Sequence, residues 1–317
     1  MGRRRLGQSG VEVSAIGLGG WELRGGDTSA GEPSVEQAKV AIEAAIAEGV
    51  DWLDTAEVYH ERRNESLIGE ALRGIRDQIS IATKVAPDAS GFRPEQVHAA
   101  CRASLDRLGT DHVEIYFLHF PDEDGGVPLD ETWGAMAELV EEGLVRAIGL
   151  SNYLIADIEA CNEARAVDAV QQGLSLLDHL EERTVIARCH ELGIGAVVYE
   201  PLANGILTGV VSGGADLKTS LGDEIETFPF YERLLAPGRL ESSLKVVDGV
   251  RAVAARIGVT PGQIAIAWTL AQPGVSSAIA GSRNPVHVRE NAAAAALSLT
   301  DDDLAELDAL IPLGPTF

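Results

Sequence analysis

Four residues carry the chemistry this sequence can be read for: Asp54, Tyr59, Lys84 and His119. A phenol has an ordinary pKa of about 10, too high to ionise readily at neutral pH. A nearby ammonium favours the phenolate and lowers that value, and a carboxylate beside the ammonium keeps it charged and in place. An imidazole can hydrogen-bond a carbonyl oxygen or share its proton. The set is a tunable proton donor, suited to quenching an alkoxide as a hydride arrives. None of the four is a good nucleophile for peptides or phosphates. Taken singly each has a plainer reading: Asp54 and Lys84 as a buried ion pair, His119 as a core histidine, Tyr59 as a surface tyrosine. Their placement together is what favours chemistry.

That placement follows from the elements. Asp54 ends the run VDWLD, Lys84 ends ISIATK, His119 ends IYFLH, and Tyr59 lies in the loop after Asp54. Ser151 and Asn152 end IGLSN, and Gln171 ends DAVQ. Strand candidates start near Ala15, Val50, Ile79, Val113, Val145, Asp168, Gly195 and Ser276. Several are continuous apolar runs, as expected for parallel strands covered on both faces. Helices are expected over Ser34–Glu48, Asn64–Arg76, Pro94–Leu108, Leu129–Glu142, Ile155–Ala166 and Glu181–Leu192. The first has Ser34 as its cap, Gln37 as the capping-box partner and Gly49 as its stop. Between Val50 and Gly195 the strand starts recur roughly every 23–34 residues, the size of one βα unit. Right-handed βαβ steps at this repeat give either a doubly wound sheet or a closed barrel. In a barrel, the C-terminal strand ends ring one mouth, and catalytic groups come from several of them.

Two regions break the repeat. Residues 203–240 form a long Gly- and Pro-rich stretch, and a loop that long in a compact domain is usually functional. Helices over Leu244–Ile257 and Pro261–Ala271 then precede the last strand, so one is extra; Pro285–Ala296 and Asp301–Leu310 follow it. At the front, RRRLGQSGVEVS reads as a hairpin turning over Gly7–Gly10. No low-complexity linker divides residues 1–317, which read as one domain.

The chain has 317 residues, 45% apolar, enough for one large core. Aromatics are only 5%, so Val, Ile, Leu and Ala must build that core. A formal net charge of −24 repels nucleic acid and anionic lipid, so neither is expected as a partner. An anionic cofactor must find a local positive spot. Cys101, Cys161 and Cys189 are odd in number and widely spaced, as in a reducing compartment. Arg3, Arg4 and Arg5 precede apolar residues, but Gln8, Ser9, Glu12 and Ser14 interrupt any signal-peptide core. With no run of membrane-spanning length, the expected location is the cytoplasm.

The sequence as a whole resembles the aldo-keto reductase family. VDWLDTAEVY…NESLIGEAL is similar to that family's first signature; EIYFLHFPD, IGLSN, AVQ and VYEPLANGILTG are similar to later ones, and SRNPVHVREN to the last. The resemblance implies a (β/α)₈ TIM barrel with an N-terminal hairpin, a long loop after the seventh strand and extra C-terminal helices. It implies a nicotinamide cofactor bound without a Rossmann domain. The run Gly17-Leu18-Gly19-Gly20 agrees, since it lacks the third glycine of GxGxxG. It also implies Tyr59 as general acid/base, with Asp54, Lys84 and His119 around it and no metal. Ser151, Asn152 and Gln171 match positions that hold the carboxamide, and Tyr199 the ring that stacks on the nicotinamide. Leu202, Gly281, Ser282, Arg283, His287, Glu290 and Asn291 match other cofactor-binding positions.

The departures concern the phosphates. Family members often carry Ser after the stacking Tyr and Arg five residues beyond it; here these are Glu200 and Asn204. Gly281 stands where some have Lys, and His287 where Arg or Gln is common. Arg283 suits a 2′-phosphate, with the helix N-terminus at Pro285 to help, so NADPH is expected first and NADH as the alternative. Trp21, Phe120 and Tyr153 are candidate walls for a small carbonyl or sugar-like substrate, and Phe228, Phe230 and Tyr231 a candidate cap; simple packing explains each as well. The expected function is therefore reduction of an aldehyde or ketone, or oxidation of a sugar-like alcohol. Two others compete: a barrel aldolase with Lys84 as the Schiff-base amine, and a non-catalytic cofactor-binding regulatory subunit.

Overall fold

The computed structural model describes residues 1–23, 34–88, 91–122, 126–177, 180–211 and 238–311. Two three-residue strands, β1 (Arg3–Arg5) and β2 (Glu12–Ser14), pair antiparallel with Arg3 opposite Ser14. Gly7 and Gly10 turn between them at φ 58 and 79°, a region that costs glycine nothing. The expected hairpin is there, and its work is to close the bottom of the fold: Leu6 and Val13 are buried against the ring of Trp52 and its neighbours.

Eight parallel strands follow: β3 (Ile16–Gly19), β4 (Trp52–Asp54), β5 (Ser80–Val85), β6 (Val113–Leu118), β7 (Val145–Ser151), β8 (Ala169–Gly173), β9 (Gly195–Tyr199) and β10 (Val275–Gly281). They close in the order β10-β3-β4-β5-β6-β7-β8-β9, so the barrel reading holds and the open sheet does not. The two-residue side-chain period divides each strand between an inner and an outer layer. On β6, Ile115 and Phe117 join the inner cluster, while Tyr116 and Leu118 pack outward under the helices. Few aromatics suffice to fill the lumen because glycines make room for them. A Cβ on Gly17 would be driven into the Trp52 ring, and one on Gly149 into Phe117. The glycine run near the first strand is thus a packing feature and not a nucleotide cradle.

Helices α1 (Val35–Ala47), α2 (Asn64–Ala71), α3 (Pro94–Leu108), α4 (Leu129–Glu141), α5 (Ile155–Ala164), α6 (Leu180–Glu191), α7 (Arg239–Ile257), α8 (Pro261–Ala271), α9 (Pro285–Ala293) and α10 (Asp301–Asp308) form the outer layer. Ser34 and Gln37 make the capping box expected of α1. Several expected ends shift. Helix α2 stops at Ala71 instead of Arg76, because Gly74 turns at φ 82° and a 3₁₀ turn, Arg76–Gln78, leads into β5. Helix α5 stops at Ala164, where Arg165 becomes extended and its carbonyl accepts Trp133 Nε1 at 3.0 Å. Helix α7 starts at Arg239, five residues before Leu244, which shortens the long loop. Helix α9 passes into a 3₁₀ turn at Ala294–Ala296. Phe228, Phe230 and Tyr231, most of the long loop, and the tail beyond Ile311 lie outside the described residues. Among those described, no helix is long and apolar enough to cross a membrane.

Candidate active site

The strand ends at Asp54, Val85, Leu118, Ser151, Gly173, Tyr199 and Gly281 ring one mouth of the barrel. After β4 the chain runs alongside β5 a little further: Thr55 N–H donates to the Ala82 carbonyl at 2.8 Å, and Glu57 N–H to Lys84 at 3.1 Å. Tyr59 then closes a turn onto Ala56, and three successive left-handed residues, His60, Glu61 and Arg62, lead into α2. Each such residue costs roughly 1–2 kcal/mol, so the turn persists only because its surroundings define it.

Lys84 has no exposed surface and uses all three of its donors. Its Nζ lies 2.7 Å from Asp54 Oδ2, 2.8 Å from the Thr55 carbonyl and 3.1 Å from Tyr59 Oη. The other Asp54 oxygen accepts Gln171 Nε2 at 2.8 Å. Because β4 and β8 stand opposite each other in the ring, that bond crosses the barrel. Tyr59 meets Trp21 edge-on, with centroids 4.9 Å apart, and faces His119 at 5.7 Å. Phe120 stacks on His119 at 4.0 Å and 14°.

The charges settle as follows. Burial alone pushes the Lys84 ammonium down, but Asp54 and then Tyr59 outweigh it, and the net direction is up. For Tyr59 the expected lowering is overturned. Burial, the largest influence, raises the phenol; Lys84 pulls it back, and Asp54 pushes it up again. The net direction is above the ordinary tyrosine value, so at neutral pH the group is a phenol ready to give its proton. His119 falls to about 2, through burial first and Lys84 second. It is a neutral ring at any ordinary pH, and its Nδ1 has no partner among the described residues. It can orient an oxygen by a hydrogen bond, but it has no second proton to share.

The residues expected to hold a cofactor fall in two places. Beside the tetrad, Asn152 sits at φ 66° after Ser151. Its Nδ2 donates to the His119 carbonyl at 2.9 Å and to Ser151 Oγ at 3.1 Å, and its Oδ1 accepts the Tyr199 hydroxyl at 2.7 Å. A Cβ on Gly173 would lie 3.2 Å from the Tyr199 ring, so the bare backbone there lets the ring lie across the end of β8. Gly173→Val is expected to displace Tyr199 and weaken nicotinamide binding about tenfold, about 1.4 kcal/mol, in a fluorescence titration. Affinity equal to the parent's would show that the ring's position is unimportant.

Leu202, Ala203 and Asn204 turn the chain after β9, where Glu200, Ala203 and Asn204 all have positive φ. Further round, Ser282 Oγ accepts Asn284 N–H at 3.1 Å, and Asn284 Oδ1 caps α9 by accepting Val286 N–H at 3.0 Å. Gly281 packs against Gly19 and Glu22, where a Cβ would meet Glu22 at 2.9 Å. Arg283 and His287 are exposed. Glu290 accepts Thr260 Oγ1 at 2.7 Å and Asn291 is buried.

One observation fits an anionic ligand along this path. Asn204 is not it, because its side chain serves the Glu200 carboxylate and offsets part of the rise that burial brings there. Arg283 makes no ion pair with another described residue, beside a capped helix start whose dipole favours negative charge.

Of the substrate candidates, Trp21 and Phe120 flank the tetrad, and Phe120 is 44% exposed. Tyr153 is 3% exposed, packs in the outer layer and donates its hydroxyl to the Phe120 carbonyl at 3.1 Å. Sequence reasoning passed over Thr55, Glu57, Asn64, Glu65, Thr83 and Arg107. Polar side chains on helices and loops read as solvated in one dimension, yet all of these but Arg107 are buried. Asn64, for one, joins Thr55 to the carbonyls of Gly20 and Leu23.

Comparison with known proteins gives a consistent picture. The profile described as "Aldo/keto reductase family" matches residues 15–312. "Probable aldo-keto reductase 1" of Glycine max is 32% identical over 98% of this chain and 89% of its own length. The glycerol dehydrogenase of Gluconobacter oxydans superposes with a TM-score of 0.82 at 25% identity, covering 99% of this chain and 98% of that one. An aldo-keto reductase from Klebsiella pneumoniae in complex with NADPH superposes at 0.75 with 30% identity, covering 98% and 96%.

Proposed function

The chain belongs to the aldo/keto reductase family, and from that premise we propose that it transfers a hydride between NADPH and the carbonyl carbon of an aldehyde or ketone, with Tyr59 supplying the proton. This is an alcohol dehydrogenase type of reaction. One observation carries it: a buried ammonium 3.1 Å from a phenol that burial keeps protonated. NADPH, when bound, supplies the hydride. Tyr59 Oη gives its proton to the carbonyl oxygen as charge develops there, and becomes a phenolate. Lys84, fixed by Asp54 and the Thr55 carbonyl, stabilises that phenolate. Neutral His119 hydrogen-bonds the same oxygen and turns the carbonyl face. In the reverse direction the phenolate takes the proton of an alcohol; the glycerol dehydrogenase relative supports sugar-like alcohols as that partner.

Ser151, Asn152 and Gln171 are the proposed holders of the carboxamide, Tyr199 of the ring, and Leu202, Gly281, Ser282, His287, Glu290 and Asn291 of the rest. The NADPH-bound relative and Arg283, which makes no ion pair with another described residue, favour NADPH over NADH. Arg283→Ala is expected to weaken NADPH roughly tenfold, as for a lost charge-assisted phosphate contact, and NADH less than twofold. Equal losses in binding titrations would remove the 2′-phosphate role.

The Schiff-base aldolase is disfavoured, since Lys84 is held as an ammonium and a Schiff-base amine must be neutral. Borohydride added with substrate should leave activity intact. The proposed compartment is the cytoplasm, supported by three free buried thiols. The direct test is steady-state NADPH oxidation over a panel of aldehydes and ketones. Tight cofactor binding with no oxidation by any of them would leave the regulatory-subunit reading in its place.

A further inference from the structure

Behind the tetrad, on the outer face of β5, lies a second polar cluster. Side chains alternate along the strand, so Thr83 points away from the mouth that Lys84 faces. Its Oγ1 donates to Glu65 Oε1 at 2.6 Å. Glu65, wholly buried in the first turn of α2, accepts Arg107 Nε on its other oxygen at 2.7 Å. The same guanidinium lies 3.8 Å from Glu57 Oε2. Glu57 Oε1 accepts Ala86 N–H at 3.1 Å, and its own N–H donates to the Lys84 carbonyl. The circuit therefore grips β5 one residue before Lys84 and the backbone two residues after it, just past the strand's end. It also holds the loop two residues before Tyr59.

Such a cluster is not an efficient source of stability, because apolar packing of the same volume often does as well or better. What it supplies is direction and distance. We propose that Glu65 is a positioning residue for the proton-donating pair: through Thr83 and, by way of Arg107, Glu57, it sets the separation of Lys84 Nζ and Tyr59 Oη. The inference rests on the reading of Tyr59 as the acid. It adds that the acid's geometry is set by a carboxylate that never touches it.

The test uses Thr83→Val, Thr83→Ser and Glu65→Gln in the full chain. Thr83→Val removes one hydrogen bond and leaves the Glu65–Arg107 pair intact, so it decides the matter if Glu65→Gln fails to fold. A misplacement well under 1 Å should lower kcat about tenfold, since 1 Å can cost 10²-fold. The KM and the NADPH dissociation constant should stay within about twofold, as expected when only transition-state contacts are lost. Thr83→Ser keeps the hydroxyl and should recover most of kcat. In protein labelled with ¹³C at the tyrosine ring, the Tyr59 phenol should titrate at higher pH in Thr83→Val than in the parent.

Parental kcat in folded Thr83→Val and Glu65→Gln, or no rescue by Thr83→Ser, overturns the positioning role. The acid reading fails separately, if Tyr59→Phe keeps full turnover; the ¹³C titration reports the Lys84–Tyr59 geometry in either case.

Discussion

Tyr59→Phe should lower kcat by roughly 10³-fold or more while NADPH affinity changes less than twofold. Loss of a positioned general acid typically costs 10²–10⁴-fold. The high end is expected because the variant also leaves the third Lys84 donor without its acceptor in a buried site. Among the described residues His119 is a poor substitute, since burial and then Lys84 push its pKa down to about 2 and keep the ring neutral. The same electrostatics shape the pH profile of the parent. Tyr59 titrates above the ordinary tyrosine value, so reduction should be flat from pH 5 to 8 and fall only in alkali, as the phenol ionises. Stopped-flow turnover and fluorescence titration of NADPH measure the two halves of the prediction. An inflection near pH 6.5 in the parent would move the proton to His119, and near-parental turnover in the variant would remove Tyr59 from the reaction.

Lys84→Met should be the most damaging single change to both stability and rate. Breaking a buried pair from one side costs roughly 3–5 kcal/mol, because the remaining charge is stranded. Here Asp54 would keep only the Gln171 amide on one oxygen. The sign of the pH dependence follows. In the parent, Lys84 has its folded pKa raised, so its contribution is complete below the ordinary lysine value of about 10.4 and is lost as pH climbs through the folded value. The variant lacks that contribution at every pH. Urea melts should therefore show a gap between variant and parent that is constant around neutrality and shrinks above about pH 10.4, as the parent loses the ammonium. A gap that does not shrink in alkali would mean that the Lys84 charge does not carry the difference.

The fold was legible in the sequence to the extent that local chemistry determines it. Ser34 with Gln37, Pro94 before an amphipathic run, and polar residues closing apolar strands are all short-range signals, and the elements they mark are present. Closure of the barrel was not local, and it entered through the likeness to a family. Helix ends moved where a distant partner competed, as at Arg165, whose carbonyl serves Trp133. The candidate tetrad drew notice because Asp54, Lys84 and His119 close successive apolar runs and Tyr59 follows the first of them. Its electrostatics could not be read, since the rise of Tyr59 depends on how much protein surrounds it, which no spacing encodes. The cluster around Glu65 stayed hidden for the opposite reason: glutamates and arginines in loops and helices are common, and only the folded chain brings Glu57, Glu65 and Arg107 together.

The bond from Gln171 to Asp54 joins opposite walls of the barrel just beneath the reacting groups. It acts as a tie-rod. Through Asp54 it also steadies the Lys84 ammonium, so a group on one wall is held in place by the wall across from it.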